Sequence, residues 1–420
     1  MRIVEKQRNW AGNYTYSTVN WHAPESVEQI QQLVKRFNHV KVVGTRHSFN
    51  SIADSSDQIM TLEKLNKVVS FKRSEQKITV EAGMKYSDLC HYLEGTGLAL
   101  HNLASLPHIS VAGACATATH GSGNQNGNLA TVVSAMEFVN ATGEVIYEES
   151  EEKLNALVVG LGGFGIVTKL TLDLVPEYKI RQDVYENLSL EEFQKNFHTI
   201  FSSAYSVSVF TDWSRPVFKQ VWLKRTVSDE DMIEAESEFF GAKLSTKNLH
   251  PISDHGAEHC TEQLGVSGSW HDRIPHFRMN FTPSSGKELQ SEYIIPRAYT
   301  ADAITAIGKL REQIAPLLLI CEIRSIAADN LWMSMNYKQD SIGIHFTWKD
   351  DWEAVKQVLP KIEEQLAPFN ARPHWGKLFT MAPDQVRSLY EKLPDFQQLL
   401  REYDPDGKFR NSFLNHYIFG

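Results

Sequence analysis

Hydrophobic and polar positions follow two textures along this chain. From Pro24 to Phe37, Val27, Ile30, Leu33, Val34 and Phe37 recur at helical spacing behind a proline, which predicts an amphipathic helix. KVVG (41–44), IMTL (59–62), VVSF (68–71) and KITVEAG (77–83) read as short strands. Tyr86 to Leu93 reads as a helix stopped by Gly95 and Gly97, SAMEFVNATGEVIY (134–147) as a hairpin turning near Ala141–Gly143, and Glu151 to Val159 as a helix. Ile166, Thr168, Leu170, Leu172 and Leu174 then alternate with Val167, Lys169, Thr171 and Asp173, the period of a half-buried strand, and Pro176 closes it. From about 178 aromatic residues and histidines become frequent. Strand-like runs appear at YSVSVFTDW (205–213), FKQVWLKR (218–225) and SIGIHFTW (341–348), with helical patterns over Ala301–Ile314 and Trp352–Leu366. The pattern predicts a boundary near 177, a first domain over 1–177, a substrate domain over 178–380, and a segment 381–420 that returns to the first domain.

Composition narrows the class. The chain has 420 residues, 42% hydrophobic and 22% charged, enough for two cores without covalent staples. A net charge of −9 with mixed signs argues against a nucleic-acid binder. Cys90, Cys115, Cys260 and Cys321 form no CxxC pair, which excludes a zinc ribbon and a thioredoxin-type site. No apolar run reaches the roughly 18–20 residues of a membrane span. The start, MRIVEKQRNWAGNY, lacks the apolar core of a signal peptide, so the expectation is a cytoplasmic protein with no membrane partner.

Four stretches carry candidate chemistry. GLGGFG (160–165) matches GxGxxG, but a helix precedes it and a strand follows, the reverse of the dinucleotide fingerprint. Its glycines therefore predict a tight turn or close approach to a ligand. HGAEHC (255–260) spaces His255 and His259 like metal ligands, yet Gly256 and the preceding Pro251 favour a polar loop. VVGTRHSFN (42–50) runs a strand into a glycine turn with His47 near its tip. SLPHISVAGACATATHGSGNQNG (105–127) is rich in small residues. Backbone N–H groups and hydroxyls in two such tracts suit a long, phosphate-bearing cofactor. In the second half, CEIRS (321–325) sets Glu322 and Arg324 on one strand face, IHFTW (344–348) does the same for His345 and Thr347, and RPHWGK (372–377) ends in Lys377. By spacing alone, Glu322–Arg324 reads as an ion pair and His345 as a core histidine.

Taken together these residues resemble the vanillyl-alcohol-oxidase/PCMH family of FAD flavoproteins, and within it the branch that oxidises alditols such as xylitol and sorbitol. The likeness runs over NWAGN (9–13), the HSFN block, ASLPHISVAG (104–113), ATHGSG (118–123), VSVFTDW (207–213), QVWLKR (220–225), TEQLGVSGSW (261–270), FTPSSGKELQSEY (281–293), CEIR, HFTW and PHWGK. The ExR pair and PHWGK are shared with the gulonolactone and arabinonolactone oxidases. The resemblance implies an α+β fold: a PCMH-type FAD-binding domain of two α+β subdomains, plus a substrate domain with an antiparallel sheet flanked by helices. It implies FAD joined covalently to His47, whose imidazole is a competent nucleophile near neutral pH. Val42, Val43, Gly44, Thr45, Arg46, Ser48, Ser105, Ser110, Gly113, Thr117, Ala118, Thr119, His120 and His374 would cradle the group, with Gly165 and Ile166 by its adenosine part. Arg46 stands where the family loop has glycine, and it can carry a phosphate contact. Lys377 and Arg324 would stabilise charge on the reduced ring, and His345 would take the hydroxyl proton. Ser105, Glu322, Arg324, Thr347 and Lys377 would read the polyol, and O2 would leave as H2O2 from a monomeric enzyme with no metal. The alternatives are a sugar-1,4-lactone oxidase or dehydrogenase on the same scaffold and a flavin-binding protein without turnover.

Overall fold

The alternation from 166 to 174 becomes a strand at the centre of the first domain. The computed structural model describes residues 6–227, 234–281 and 287–420. The first five residues of the N-terminal stretch and Thr282–Gly286 of the FTPSSGKELQSEY motif lie outside them. Helix α1 (Val27–Arg36) is capped by the Ser26 side chain, which accepts from Gln29 N, and it buries Ile30 and Val34. Strand β1 (Val40–Val43) pairs in parallel with β2 (Gln58–Thr61), which pairs in parallel with Trp21–His22. Strands β3 (Val68–Lys72), β4 (Lys77–Glu81), β5 (Val133–Val139), β6 (Val145–Glu148) and β7 (Ile166–Asp173) form an antiparallel sheet in the order β3-β4-β7-β5-β6. Helix α2 (Tyr86–Leu93) and the six-residue α3 (Val111–Ala116) frame the small-residue tract, and α4 (Glu151–Leu157) precedes the GLGGFG turn. That helix–turn–strand order is the one the sequence predicts.

A second sheet begins at Lys179. It contains β8 (Lys179–Ser189), β9 (Ser206–Thr211), β10 (Val217–Val227), β11 (Glu288–Pro296), β12 (Leu318–Ile326) and β13 (Ser341–Lys349), in the order β8-β10-β9-β12-β13-β11. All these pairings are antiparallel. Arg372–Pro373 adds beyond β11. Helices α5 (Leu190–Ser202), α6 (Thr300–Gly308) and α7 (Trp352–Leu366) cover one face. The helix expected over 301–314 breaks at Lys309–Leu310 and resumes for one turn at Arg311–Ile314. The architecture is α+β, as the sequence implies. Among the described residues no helix is long and apolar enough to cross a membrane.

Two ties fix the site-bearing loops to each other. Phe49 N donates to Gly376 O at 2.8 Å, and Asn50 Nδ2 donates to Trp375 O at 2.9 Å and to Lys377 O at 2.8 Å. The HSFN loop of the first domain and the PHWGK turn of the second sheet thus move as one piece. The chain after α8 (Leu393–Tyr403) runs back to the first domain, where Val40 N donates to Lys408 O at 3.0 Å.

Candidate active site

A cavity of about 630 Å³ runs between the β1 strand and turn with the small-residue tract on one side and the large antiparallel sheet on the other. Its first-domain wall is built by the two tracts singled out above. Val42, Val43, Gly44, Thr45, Arg46, His47 and Ser48 line it from the β1 turn, and Ser105, Ser110, Gly113, Thr117, Thr119 and His120 from the other tract. The two tracts touch: a Cβ on Gly44 would stand 2.2 Å from Ser110 Oγ. Only glycine lets β1 end there. Ser110 N donates to Thr45 Oγ1 at 3.2 Å.

Arg46 adopts φ 62°, the left-handed region that the family's glycine occupies at no steric cost. Trp10 N donates to Arg46 O at 2.8 Å. The guanidinium, expected on a phosphate, donates to Gln7 Oε1 at 2.7 Å beside the cavity. Three other residues expected at the cofactor do not line the cavity. Ala118 is fully buried in the first-domain core and does not line the cavity. Gly165 and Ile166 are packed against β5, where a Cβ on Gly165 would meet Val139 O at 2.4 Å, and neither reaches the cavity wall. The wall there is Leu161 and Gly162, earlier in the same turn. Lys41 holds them by donating to Leu161 O (3.4 Å) and Gly162 O (2.8 Å), and it also reaches Phe409 O.

His47 stacks on Trp10 with ring centroids 5.0 Å apart. Its Nδ1 lies 2.9 Å from Thr45 Oγ1 and its Nε2 2.6 Å from His108 Nε2. Burial, then His108, push its pKa down to about 3, so the ring is neutral at pH 7. The small-residue walls, the donor hydroxyls and a neutral imidazole at the loop tip fit an extended flavin dinucleotide.

The opposite wall is set by strand register. Phe210 on β9 faces Glu322 on β12, Glu322 faces His345 on β13, and His345 faces Glu292 on β11. This line of side chains crosses four strands. Two residues along, Arg324 faces Gly343, where a Cβ would stand 3.1 Å from Glu292 Oε1. Glycine at 343 makes room for the carboxylate to reach the guanidinium.

Glu292 is the hub, and the sequence reading missed it. Arg324 Nη2 donates to its Oε1 at 2.9 Å, Lys377 Nζ donates to its Oε2 at 2.5 Å, and His120 Nε2 lies 3.3 Å from Oε1. Burial pushes its pKa up, but Lys377, His120 and Arg324 together hold it well below the usual carboxylate range. Lys377 Nζ also lies 2.6 Å from His345 Nδ1, and His345 Nε2 lies 3.0 Å from Thr347 Oγ1. Burial, then the Lys377 charge, push His345 down to about 4, and burial pushes Lys377 down too. The signal for Glu292 was present in Glu288, Gln290 and Glu292, polar at every second position of an otherwise apolar strand; all three line the cavity. Glu322 and Arg324 form the expected ion pair, Nε to Oε2 at 3.6 Å, and both face the cavity. Arg324 Nε is buried with no hydrogen-bond partner in the protein. His374 lines the cavity beside Lys377. The loop at 255–260 is a loop, as expected, and His255 and His259 line the cavity mouth with Phe281 stacked on His259 at 3.9 Å. Among the described residues no cluster could hold a metal ion.

Comparison with known proteins is consistent with this geometry. Residues 22–147 match a family described as FAD binding domain, and residues 277–417 one described as D-arabinono-1,4-lactone oxidase. The chain is 44% identical to an alditol oxidase of Streptomyces sp. over 98% of this chain and 99% of that one. It is 27% identical to an L-gulono-1,4-lactone dehydrogenase of Mycobacterium tuberculosis, covering 98% of both. The fold matches a crystal structure of cholesterol oxidase from B. sterolicum with a TM-score of 0.78 at 14% identity, covering 98% of this chain and 96% of that one.

Proposed function

The chain belongs to the FAD-dependent oxidoreductase family of alditol oxidase and the sugar-lactone oxidases, and on that premise we propose that it oxidises the terminal primary alcohol of open-chain polyols such as xylitol and sorbitol to the aldose. The observation that carries this reading is the Glu322–Arg324 pair. A buried guanidinium Nε without a protein partner stands 3.6 Å from a carboxylate oxygen. A hydroxyl both accepts and donates, so it bridges such a pair. Ser105 and Thr347 add hydroxyls to the same cavity.

FAD bound between these walls would supply the hydride acceptor and the route by which the electron pair reaches O2 as H2O2. His47 holds the group covalently through a ring nitrogen, a role favoured by its neutrality and its stacking on Trp10. Gly44, Ser110 and Gly113 let backbone approach the ligand closely. As the carbinol C–H leaves as hydride, the hydroxyl proton passes to His345 Nε2, and the ring's Nδ1 proton passes to Lys377 Nζ across the 2.6 Å contact. The C–O bond becomes a carbonyl. The new ammonium is stabilised by Glu292 and would offset negative charge on a reduced flavin bound in the cavity. The relay needs the form of the pair in which Lys377 is neutral; burial, which lowers both groups, favours that form, and Glu292 opposes it at Lys377.

An oxygen-uptake panel tests the reading. Xylitol and sorbitol are expected to consume O2 and yield H2O2, while L-gulono-1,4-lactone does not. Turnover of the lactone alone would move the assignment to the lactone branch, which the match at residues 277–417 favours. Acid-precipitated protein is expected to stay yellow, and His47→Ala to release the colour into the supernatant; a colourless wild-type pellet would remove the tether.

A further inference from the structure

QVWLKR (220–225) contains a buried cation that the mechanism does not use. Lys224 on β10 is 1% exposed, and lysine is almost never fully buried without partners. Its Nζ donates to Arg273 O at 2.8 Å, Ile274 O at 2.6 Å and Pro275 O at 3.1 Å, and His276 Nδ1 lies 3.4 Å away. On the other side of the ring, His276 Nε2 lies 2.7 Å from Glu322 Oε1. Phe210 and Trp222 hold the ring edge-on at centroid distances of 5.5 and 5.2 Å.

We propose that Lys224 and His276 are positioning residues for substrate: Lys224 fixes His276 in the Nε2–H tautomer, and the ring donates to one oxygen of Glu322 so that the other is presented to a polyol hydroxyl. The inference rests on the polyol reading of the Glu322–Arg324 pair.

The donor arithmetic supports one arrangement. Glu322 is held well below the usual carboxylate range: burial opposes this, and Arg324 and His276 outweigh it. An ionised Glu322 only accepts, so His276 Nε2 must carry the proton. Burial pushes the His276 pKa down, so the ring is neutral and its Nδ1 is a lone pair. Lys224 Nζ therefore sees four acceptors and no donor, the surroundings of an ammonium. Burial, with a smaller push from Arg273, takes Lys224 down to about 7 against this, and Glu322 and Cys260 oppose the shift. The four acceptors argue that the charged form is the one bound. Without Lys224, Glu322 alone among the described side chains selects the tautomer, and the ring is no longer anchored at Nδ1, so Glu322 can turn both oxygens away from substrate.

Three measurements on the FAD-loaded enzyme test this. ¹⁵N NMR of histidine-labelled protein, with the His276 signals assigned by their loss in His276→Gln, is expected to show a protonated Nε2 and a lone-pair Nδ1. A protonated Nδ1 or an imidazolium overturns the proposal, and this readout does not depend on which substrate is turned over. His276→Phe keeps a flat ring but no donor; KM for xylitol is expected to rise about tenfold or more, the cost of an unmade hydrogen bond to a charged group, with kcat changed far less. His276→Gln, whose amide donates to Glu322 without tautomerism, is expected to restore KM to within about threefold. An unchanged KM in His276→Phe overturns the proposal. Lys224→Met is expected to raise KM in the wild-type background and to add little in the His276→Gln background; equal effects in both would remove Lys224 from the relay. If Lys224→Met does not fold, the tautomer and the two His276 variants decide. If no polyol is turned over but the Nε2–H tautomer is present, the functional reading falls and the relay stands.

Discussion

Lys377 lies 2.5 Å from a carboxylate oxygen and 2.6 Å from an imidazole nitrogen, and that placement makes a specific demand on its chemistry. The relay needs a residue that can be neutral before the reaction and charged after it. Arginine is always charged. Lys377→Arg therefore keeps the cation and loses the proton acceptor, and the rate of flavin reduction in anaerobic stopped flow is expected to fall by about 10²–10⁴-fold. Retained reduction in that variant would make Lys377 a fixed cation only. The same demand sets the pH profile. Turnover needs the form of the pair in which Lys377 is neutral, so kcat/KM is expected to rise with pH through one apparent pKa and then level off. That value belongs to the Lys377–His345 pair and lies below the ordinary lysine value of about 10.4, because burial depresses both members. A profile that falls where this one rises would reverse the assignment. At this scale the sequence was legible where residues sit in distinctive strings: His47, Glu322, Arg324, His345 and Lys377 all line the cavity. Glu292 was not, because it meets Arg324 and Lys377 only through cross-strand register, and no local spacing encodes that pairing. Gly165 and Ile166 misled because a glycine-rich turn marks a close approach without saying to what; theirs is to β5.

At the scale of elements, the cofactor wall depends on two loops meeting without side chains between them. A methyl on Gly44 would stand 2.2 Å from Ser110 Oγ, while Ser110 Cβ is 3.4 Å away. Gly44→Ala is thus expected to lower the flavin content of purified protein, read from the 450 to 280 nm absorbance ratio. Adding Ser110→Ala removes the clashing oxygen and is expected to restore much of the flavin. If the second substitution does nothing, the loop contact is not what shapes the wall. The strands themselves were readable, since period-2 alternation persists where one face is buried, as in β7 with its alternating burial. The break of the 301–314 helix at Lys309–Leu310 was not, because an apolar stripe continues across it while the backbone turns. Arg46 shows the converse: a residue unsuited to φ 62° is held there by Trp10 and Gln7.

At the scale of the molecule, the β1 turn and the small-residue tract face the large antiparallel sheet across the cavity, and the C-terminal segment clasps the stretch that follows the HSFN loop. Asn411 Nδ2 donates to Ser51 O and Ile52 O at 3.0 Å and to Asp54 O at 2.9 Å, while its Oδ1 caps Leu414 N. Asn411→Ala removes this donor from three carbonyls on the segment after the HSFN loop, of which Ser51 O keeps Asp54 N. A loss of about 1–3 kcal/mol in urea unfolding is expected, and a change under about 0.5 kcal/mol would mean that the clasp contributes little. The central claim is that a polyol bound at Glu322 and Arg324 delivers hydride to a flavin held at His47. Absorbance of the purified enzyme, recorded before and after xylitol is added in the absence of O2, tests it most directly. The account predicts rapid bleaching of the 450 nm band that returns when air is admitted; a band that xylitol and sorbitol leave untouched would contradict it.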